Sequence, residues 1–455
     1  MKLKLLMSSL ALSTLMAGGA WAKSPMLTEA YWETATVASV QADIEAGADL
    51  LERNKIGRQP LHYALRGHAS LDVLRLLLEQ GVPIRPEGGK GVYAELYAAR
   101  YGDLQVMQLF HEFGADFQVA DYMGETPQYW LSKNKSPDLQ VVDYFEELGL
   151  DLDAQSRLGI TPAAATALNK KGAKLFDYLV EKGSDPEGID SEGRDLFMKA
   201  ITNNDNTEML QRFFNDSEDP KARDNYGLSG VLLASIESIS EQRLAFLEAQ
   251  DFDLSIRDPK GRTALHLHAV EGDSDGLTAL LARGFDINAT DSAGDSPLHL
   301  ALKKNEVEFL SAMLDAGADL QVANGKGVTP LMLALAREAD EDMSGLIDRM
   351  IAAGADLKAK DASGATTLIH AMKGRQPVSR LQQILAAGVD VNAADGEGST
   401  ALMHAALSGE DPRVLTLLLD AGADKTVRDV FEDTVAVMAA DNPALKDSPL
   451  LAQLQ

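Results

Sequence analysis

Two histidines that lie two residues apart, His266 and His268, are the part of the sequence most similar to a metal-binding pair. In a helix, however, residues two apart do not share a face. The chain has 8 histidines without an H-E-x-x-H phrase, and it has no cysteine. Disulfides, thiolate metal sites and cysteine nucleophiles are therefore excluded, and we expect no metal site.

Serine and acidic residues make no better case for catalysis. The phrase Gly294-Asp-Ser-Pro297 is similar to the segment around a serine-protease nucleophile, but no matching base and acid accompany it. The phrase Gly227-Leu-Ser-Gly230 misses the G-x-S-x-G pattern of hydrolases, and no calcium-loop phrase is present. We therefore predict no catalytic residue, no cofactor and no enzyme activity. An enzyme whose site leaves no motif is the alternative.

The first 22 residues have the features of a secretory signal peptide. Lys2 and Lys4 precede an apolar stretch at residues 5–17, and Ala20-Trp21-Ala22 supplies the small residues of a cleavage site. The apolar stretch is too short to span a bilayer as a helix, which disfavours an uncleaved anchor. Because no cysteine is available for lipid attachment, we expect export across the inner membrane to the periplasm of a Gram-negative bacterium.

A repeat dominates the rest of the sequence. Glycines recur at intervals of 33 to 37 residues, at Gly57, Gly91, Gly124, Gly159, Gly193, Gly227, Gly261, Gly294, Gly327, Gly364 and Gly398. A second series of glycines follows within each unit, and Ser217 and Gln250 stand where two of its members are missing. Interlocked series of this length indicate stacked repeats.

Residues 291–323 show what one unit predicts. Asp291 and Gly294 indicate a tight turn, in which glycine supplies a positive φ. Ser296 is the expected N-cap of a short first helix, with Pro297 at its first position. An apolar stripe then predicts a second helix, which Gly317 ends. Ser296 is therefore predicted to cap a helix and not to act as a nucleophile.

These features resemble the ankyrin repeat, a 33-residue unit with a T-P-L-H phrase and a G-A-D exit. The resemblance rests on phrases such as GETPQYW (124–130), GVTPLML (327–333) and LTLLLDAGAD (415–424). It implies an all-α ankyrin-repeat solenoid of about 11–12 stacked turn-helix-loop-helix units. It also implies that His62, His266 and His299, in the histidine place of the phrase, hydrogen-bond the loops between repeats.

The clarity of the repeat varies along the chain and divides it into segments. The predicted segments are a signal peptide (1–22), an N-terminal capping unit (23–53), a first arm of repeats (54–189), degenerate repeats (190–257), a second arm (258–428) and a C-terminal cap and tail (429–455). In the degenerate segment, Gly230 falls inside a predicted first helix, where glycine costs about 1 kcal/mol relative to alanine. We expect a soft joint there; drift of the sequence under weak constraint is the alternative.

A partner-binding surface is expected where large apolar or Arg side chains occupy turn tips and first helices. In the ankyrin family, as the resemblance implies, these positions line the groove that contacts other proteins. Aromatic and Arg side chains are also enriched in interface hot spots. The predicted partner-binding residues are Arg100, Tyr101, Tyr122, Met123, Trp130, Leu158, Tyr226 and Leu228.

The charge of the chain bears on the kind of partner. With 42 Lys+Arg and 69 Asp+Glu, the formal net charge is −27, which disfavours nucleic acid and anionic lipid. We expect a non-enzymatic scaffold or adaptor that binds a basic or neutral protein of the cell envelope. The alternatives are an immunity or inhibitor protein against a basic toxin or hydrolase, and an accessory stabiliser of a periplasmic enzyme.

Overall fold

A computed structural model describes residues 24–85, 93–186, 188–236, 239–304, 306–408, 411–443, 445 and 450–454. The predicted signal peptide and the repeat glycine Gly91 lie outside the described residues. The regular secondary structure of the described part is helical, with three isolated β-bridges beside turns. None of these helices is both long enough and apolar enough to cross a membrane.

The chain divides into two compact units, one ending at Gly188 and the other beginning at Ile189. After a 3-10 turn at Pro25–Leu27, unit 1 contains α1 (Glu29–Trp32), α2 (Val37–Glu45), α3 (Pro60–Arg66), α4 (Leu71–Glu79), α5 (Ala94–Tyr101), α6 (Leu104–Glu112), α7 (Pro127–Ser132), α8 (Gln140–Glu147), α9 (Pro162–Thr166) and α10 (Ala173–Glu181).

Unit 2 contains α11 (Leu196–Asn203), α12 (Thr207–Asp216), α13 (Gly230–Leu233), α14 (Glu241–Ala249), α15 (Ala264–Glu271), α16 (Ser274–Leu281), α17 (Pro297–Leu302), α18 (Val307–Asp315), α19 (Pro330–Ala336), α20 (Glu341–Ala352), α21 (Thr367–Lys373), α22 (Val378–Ala386), α23 (Ala401–Ser408), α24 (Pro412–Asp420), α25 (Val435–Asp441) and α26 (Leu450–Leu454).

Within each unit the helices form two layers. First helices of successive repeats pack on one another, as α3, α5, α7 and α9 do in unit 1, and second helices form the other layer. In α6 and α8 of unit 1, Phe110 and Phe145 are fully buried, and in unit 2 Leu310 and Ile347 take the corresponding role. Burial of such apolar faces between neighbouring repeats is what stabilises a stack of short helices.

The turns are closed by their own acidic side chains, as the sequence predicts. The Asp291 carboxylate accepts hydrogen bonds from the backbone N–H groups of Ala293 and Asp295 at 2.8 and 3.0 Å, and Gly294 has φ +77°. Adjacent turns are also joined, because the N–H of Ser292 donates to the carbonyl of Lys260 at 2.8 Å. The turns therefore hold neighbouring first helices in register.

The degenerate segment 190–257 is packed around a buried guanidinium. Arg243 on α14 is fully buried, donates to Asp205 at 3.0 Å and to the carbonyl of Ile201 at 3.2 Å, and also bonds the carbonyl of Thr202. Packing explains why a glycine occupies position 230, since a Cβ atom at Gly230 would lie 3.2 Å from the ring of Phe197. The soft joint stays a prediction, and this segment holds together through contacts the sequence did not indicate.

Both ends of the array carry additional helix pairs. The opening segment forms α1 and α2, and the closing segment forms α25 and α26, so the 26 α-helices of the described residues make thirteen pairs. Glu432 occupies the glycine place of the last turn and adopts φ +67°. In the second glycine series the prediction for Gln250 was wrong by one residue, because Asp251 has the left-handed backbone with φ +55°.

Candidate protein-binding surface

The first helices of three successive repeats in unit 1 share one pattern of aromatic side chains. When α3, α5 and α7 are aligned on their N-caps, Tyr63, Tyr97 and Trp130 occupy one position, which we call the aromatic row. Pro60 opens α3, and the Thr126 hydroxyl accepts from the backbone of α7. Since the three helices begin at equivalent places in the repeat, the three rings lie at the same position of successive helices.

Two rings of the aromatic row, those of Tyr97 on α5 and Trp130 on α7, are in contact with each other. The centroids of Tyr97 and Trp130 lie 5.3 Å apart, and those of Tyr97 and Tyr101 lie 6.1 Å apart. Tyr97 is buried, whereas Tyr63 and Trp130 are half-buried. The hydroxyl of Tyr97 accepts a hydrogen bond from Nε of Arg58 at 2.6 Å. Burial raises the pKa of Tyr97 although Arg58 opposes this, so the hydroxyl stays neutral.

A second row lies one helical turn further along and is cationic. It consists of Arg66, Arg100 and Lys133, which we call the cation row. Arg66 forms an ion pair with Glu29 at 2.5 Å, and Lys133 forms one with Glu125 at 2.6 Å. The two end members are therefore neutralised locally.

Arg100, the middle member of the cation row, has a different environment. Its guanidinium carbon lies 5.3 Å from the ring centroid of Tyr101 and 5.9 Å from that of Trp130. It makes no ion pair with any residue that the structure describes. Cation–π contacts of this kind stabilise a partly buried guanidinium while leaving its N–H groups to other acceptors.

The predicted partner-binding residues divide between the two units. In unit 1, Arg100, Tyr101 and Trp130 come together as described. Tyr122 projects from the turn before α7 with 66% of its surface exposed. Met123 and Leu158 are half-buried at successive turns, where the carbonyl of Met123 accepts from the N–H of Arg157 at 2.7 Å.

In unit 2 the two predicted partner-binding residues differ in exposure. Tyr226 is 61% exposed at its turn tip, whereas Leu228 is only 8% exposed. The prediction that Leu228 contacts a partner was wrong. The side chain that follows the turn glycine packs inward here, as that of Ile160 does after Gly159. Leu228 therefore belongs to the core and not to the surface.

The sequence reasoning missed Tyr63, Tyr97, Arg58, Arg66 and Lys133. Alignment of the repeats on their N-caps would have found most of them, since the two rows then appear as columns. In unit 2 the aromatic column is filled mostly by aliphatic residues, among them Leu233, Leu267, Leu300 and Leu333. The aromatic row is therefore a property of α3, α5 and α7 and not of the repeat itself, whereas lysines also occupy the cation position in unit 2, at Lys303 and Lys373.

Comparison with known families identifies the repeat in part of the chain. A family model described as "Ankyrin repeats (3 copies)" matches residues 235–324, 265–344 and 335–429, and one described as "Ankyrin repeat" matches residues 57–86. The chain belongs to the ankyrin-repeat family. The predicted family and the all-α ankyrin fold are confirmed. Ankyrin repeats generally mediate protein–protein interaction. No curated protein matches the chain.

His266 and His299 perform the linking role that the family resemblance implied, and for His62 that role stays a prediction. In unit 2, Nε2 of His266 bonds the carbonyl of Asp295 at 3.1 Å, and Nε2 of His299 bonds the carbonyl of Val328 at 3.0 Å. Each ring also bonds back to the N-cap residue of its own helix. Ser296 is one of these N-caps, so its hydroxyl serves the ankyrin frame.

Two other titratable side chains, those of His268 and Glu95, are also buried within the ankyrin repeats. His268 is fully buried, and its Nε2 bonds the carbonyl of Asp273 at 2.6 Å. Glu95 on α5 is fully buried beside Arg85 at 2.6 Å, and burial raises the pKa of its carboxyl. In the described part of the chain, no group of three or more His, Asp or Glu is arranged to hold a metal ion.

Proposed function

We propose that this ankyrin-repeat protein is a non-enzymatic scaffold or adaptor of the bacterial periplasm, and that it binds a partner protein through unit 1. The observation that carries the proposal is the pair of rows on α3, α5 and α7. Aromatic side chains at matched positions of three helices are not a requirement of the repeat, because leucine fills the same position in α13, α15, α17 and α19 of unit 2.

The proposed surface combines first helices with the turn tip that precedes α7. Tyr122 is the most exposed aromatic residue of unit 1 among those the structure describes. Half-buried Trp130 and Arg100 supply area that a partner can bury further at low entropic cost, since their positions are already restricted by neighbouring rings. Tyr122, Met123, Trp130 and Arg100 are therefore the residues for which we expect the largest effects on affinity.

Site-specific photo-crosslinking tests this surface. A photoreactive phenylalanine analogue at Tyr122 should capture a discrete partner from a periplasmic extract of the source organism. The same analogue at Glu79, exposed on the second helix α4, is the matched control. Equal crosslinking from both positions, or none from Tyr122 while the protein is folded, would contradict the proposal.

The periplasmic location rests on the features of residues 1–22 and has its own test. After expression in a Gram-negative host, N-terminal sequencing of the protein recovered by osmotic shock should begin at Lys23. Recovery of the uncleaved chain from the cytoplasm would remove this part of the proposal and leave the binding surface untouched.

A second candidate function follows from the charge of unit 2. From residue 189 onward the sequence holds 44 Asp+Glu and 24 Lys+Arg, a formal charge of −20, whereas residues 24–188 carry 25 and 15, a charge of −10. A strongly acidic unit suits an immunity or inhibitor protein that covers a basic toxin or hydrolase. Binding that weakens steeply with salt and survives the loss of Trp130 would favour this candidate over the first.

A further inference from the structure

Arg100 has no carboxylate partner among the described residues. Acidic residues exceed basic ones by 69 to 42, and the two neighbours of Arg100 in the cation row each have a carboxylate within 2.6 Å. Within the described residues Arg100 has two aromatic rings instead. Its charge is thus held in place by groups that cannot neutralise it.

A second guanidinium on the same face has a similar environment. Arg58 lies before α3, with its guanidinium carbon 5.6 Å from the ring centroid of Tyr97, and it donates to the neutral Tyr97 hydroxyl. Among the described residues it too makes no ion pair. Because the ring of Tyr97 also contacts Trp130, which contacts Arg100, the two arginines are linked through the buried ring of Tyr97 and the half-buried ring of Trp130.

Such an arrangement has a defined binding chemistry. A guanidinium stacked on a ring presents its N–H edge to planar acceptors, and paired hydrogen bonds to a carboxylate are about twice as strong as neutral ones. The ring faces beside it suit apolar or aromatic side chains. Long nucleic acids offer anions as well, but their continuous negative charge is opposed by the formal charge of −27 on this chain.

We propose that Arg100 and Arg58 bind carboxylates of an extended acidic segment in the protein partner, whose intervening side chains lie on Tyr101 and Trp130. This inference rests on the proposed function and specifies what the surface recognises. The expectation of a basic or neutral partner applies to the partner as a whole, and a partner of that kind can still carry a short acidic segment.

The test uses a fluorescein-labelled decapeptide in which Glu residues alternate with Leu and Tyr, and a twin peptide with Gln in place of every Glu. Anisotropy measures binding to the folded full-length chain. We expect the Glu peptide to bind at least about tenfold more tightly than its twin.

Variants of Arg100 test whether this side chain causes the preference for the Glu peptide over its Gln twin. Arg100→Gln should reduce the preference to about the level of the twin peptide, and Arg100→Lys should restore only part of it because an ammonium cannot pair with a carboxylate in the same planar way. Lys303→Gln, at the corresponding position of α17 in unit 2, is the control and should change nothing. Circular dichroism melting of each variant shows whether it is folded.

Three results would overturn the inference. They are equal binding of the two peptides, an undiminished preference in Arg100→Gln, and binding of a thymidine decanucleotide in place of the Glu peptide. If the crosslink from Tyr122 to a partner persists in Arg100→Gln while any of these results is obtained, the acidic-segment inference fails and the protein-binding function stands. Loss of the Tyr122 crosslink in the native chain would instead remove the function itself.

Discussion

The imidazole of His268 lies directly against Gly276 of the following helix. A Cβ atom built on Gly276 would come within 2.4 Å of Cε1 of His268 and within 2.3 Å of the side chain of Ile239. The large residue on α15 and the missing side chain on α16 are therefore complementary. His268 fills a gap in the packing, as its hydrogen bond to the carbonyl of Asp273 also indicates.

This contact predicts an inverted response to a helix-favouring substitution. Alanine is the better helix former by about 1 kcal/mol, yet Gly276→Ala should lower the free energy of unfolding by about 1–3 kcal/mol because the site is already full. Chemical denaturation measures the change. Gly345→Ala on α20 is the control, since its Cβ would meet nothing within 4 Å, and it should raise stability. Adding His268→Ala to Gly276→Ala should recover part of the loss. A stabilising Gly276→Ala would show that the contact is absent.

Glu432→Gly should stabilise the chain. Glu432 holds a left-handed backbone at φ +67°, which costs a non-glycine residue roughly 1–2 kcal/mol. Glycine removes that strain but loses more entropy on folding, so the net gain should be about 0.5–1 kcal/mol. Thermal unfolding followed by circular dichroism measures it. Glu397→Gly changes a residue of the preceding turn that lacks positive φ, and it should give no gain. Equal effects of the two substitutions would argue against strain at Glu432.

Arg243→Met should destabilise the degenerate segment strongly. The substitution leaves the carbonyl of Ile201 without its buried donor and removes the charge beside Asp205, a loss of about 3–5 kcal/mol for a buried pair. Arg413→Met breaks the exposed pair with Asp411, which should cost less than about 1 kcal/mol. Hydrogen exchange at residues 195–255 would show which part of this segment loses stability. If both variants unfold at the same denaturant concentration, the buried network contributes nothing.

The buried histidines predict that unit 2 loses stability in mild acid. Burial is the main cause that lowers the pKa of His266 and His299, opposed in part by their inter-repeat hydrogen bonds. The unfolded chain takes up protons near its ordinary histidine pKa of about 6.5, whereas the folded chain does not. The free energy of unfolding should therefore fall as the pH drops from about 6.5 to the lowered folded pKa.

Denaturant titrations between pH 7 and pH 5 measure this slope, in a window above the range in which carboxylates titrate. The variant that combines His266→Asn with His299→Asn should be less stable at pH 7 but should show a shallower dependence on pH. A slope that is unchanged in this variant would assign the effect to other groups.

How much of the fold the sequence could predict depends on which force places each residue. The turn at Asp291 and Gly294 was predictable because backbone geometry alone requires those residue types. The N-cap role of Ser296 followed in the same way. Local rules of this kind act within a few residues and leave a direct trace in spacing.

Features that depend on packing between repeats were not predictable from one repeat. Leu228 occupies a turn, where position alone suggested exposure, yet its side chain enters the core. Arg243 is charged and reads as a surface residue, although partners some 40 residues earlier bury it. The aromatic row was not predicted for the same reason, because Tyr63, Tyr97 and Trp130 are related only through the register of different repeats. That register is visible only when the repeats are aligned with one another.

The turn-to-turn hydrogen bonds that join successive repeats do not involve the half-buried side chains of the two rows, whereas Tyr97 of the aromatic row is part of the core. Substitutions at the half-buried positions can therefore change what unit 1 recognises while the turns keep the repeats in register, as long as Tyr97 stays in the core. Placing the tyrosines and arginines of unit 1 at the equivalent positions of α17 and α19 should therefore give unit 2 the same binding specificity.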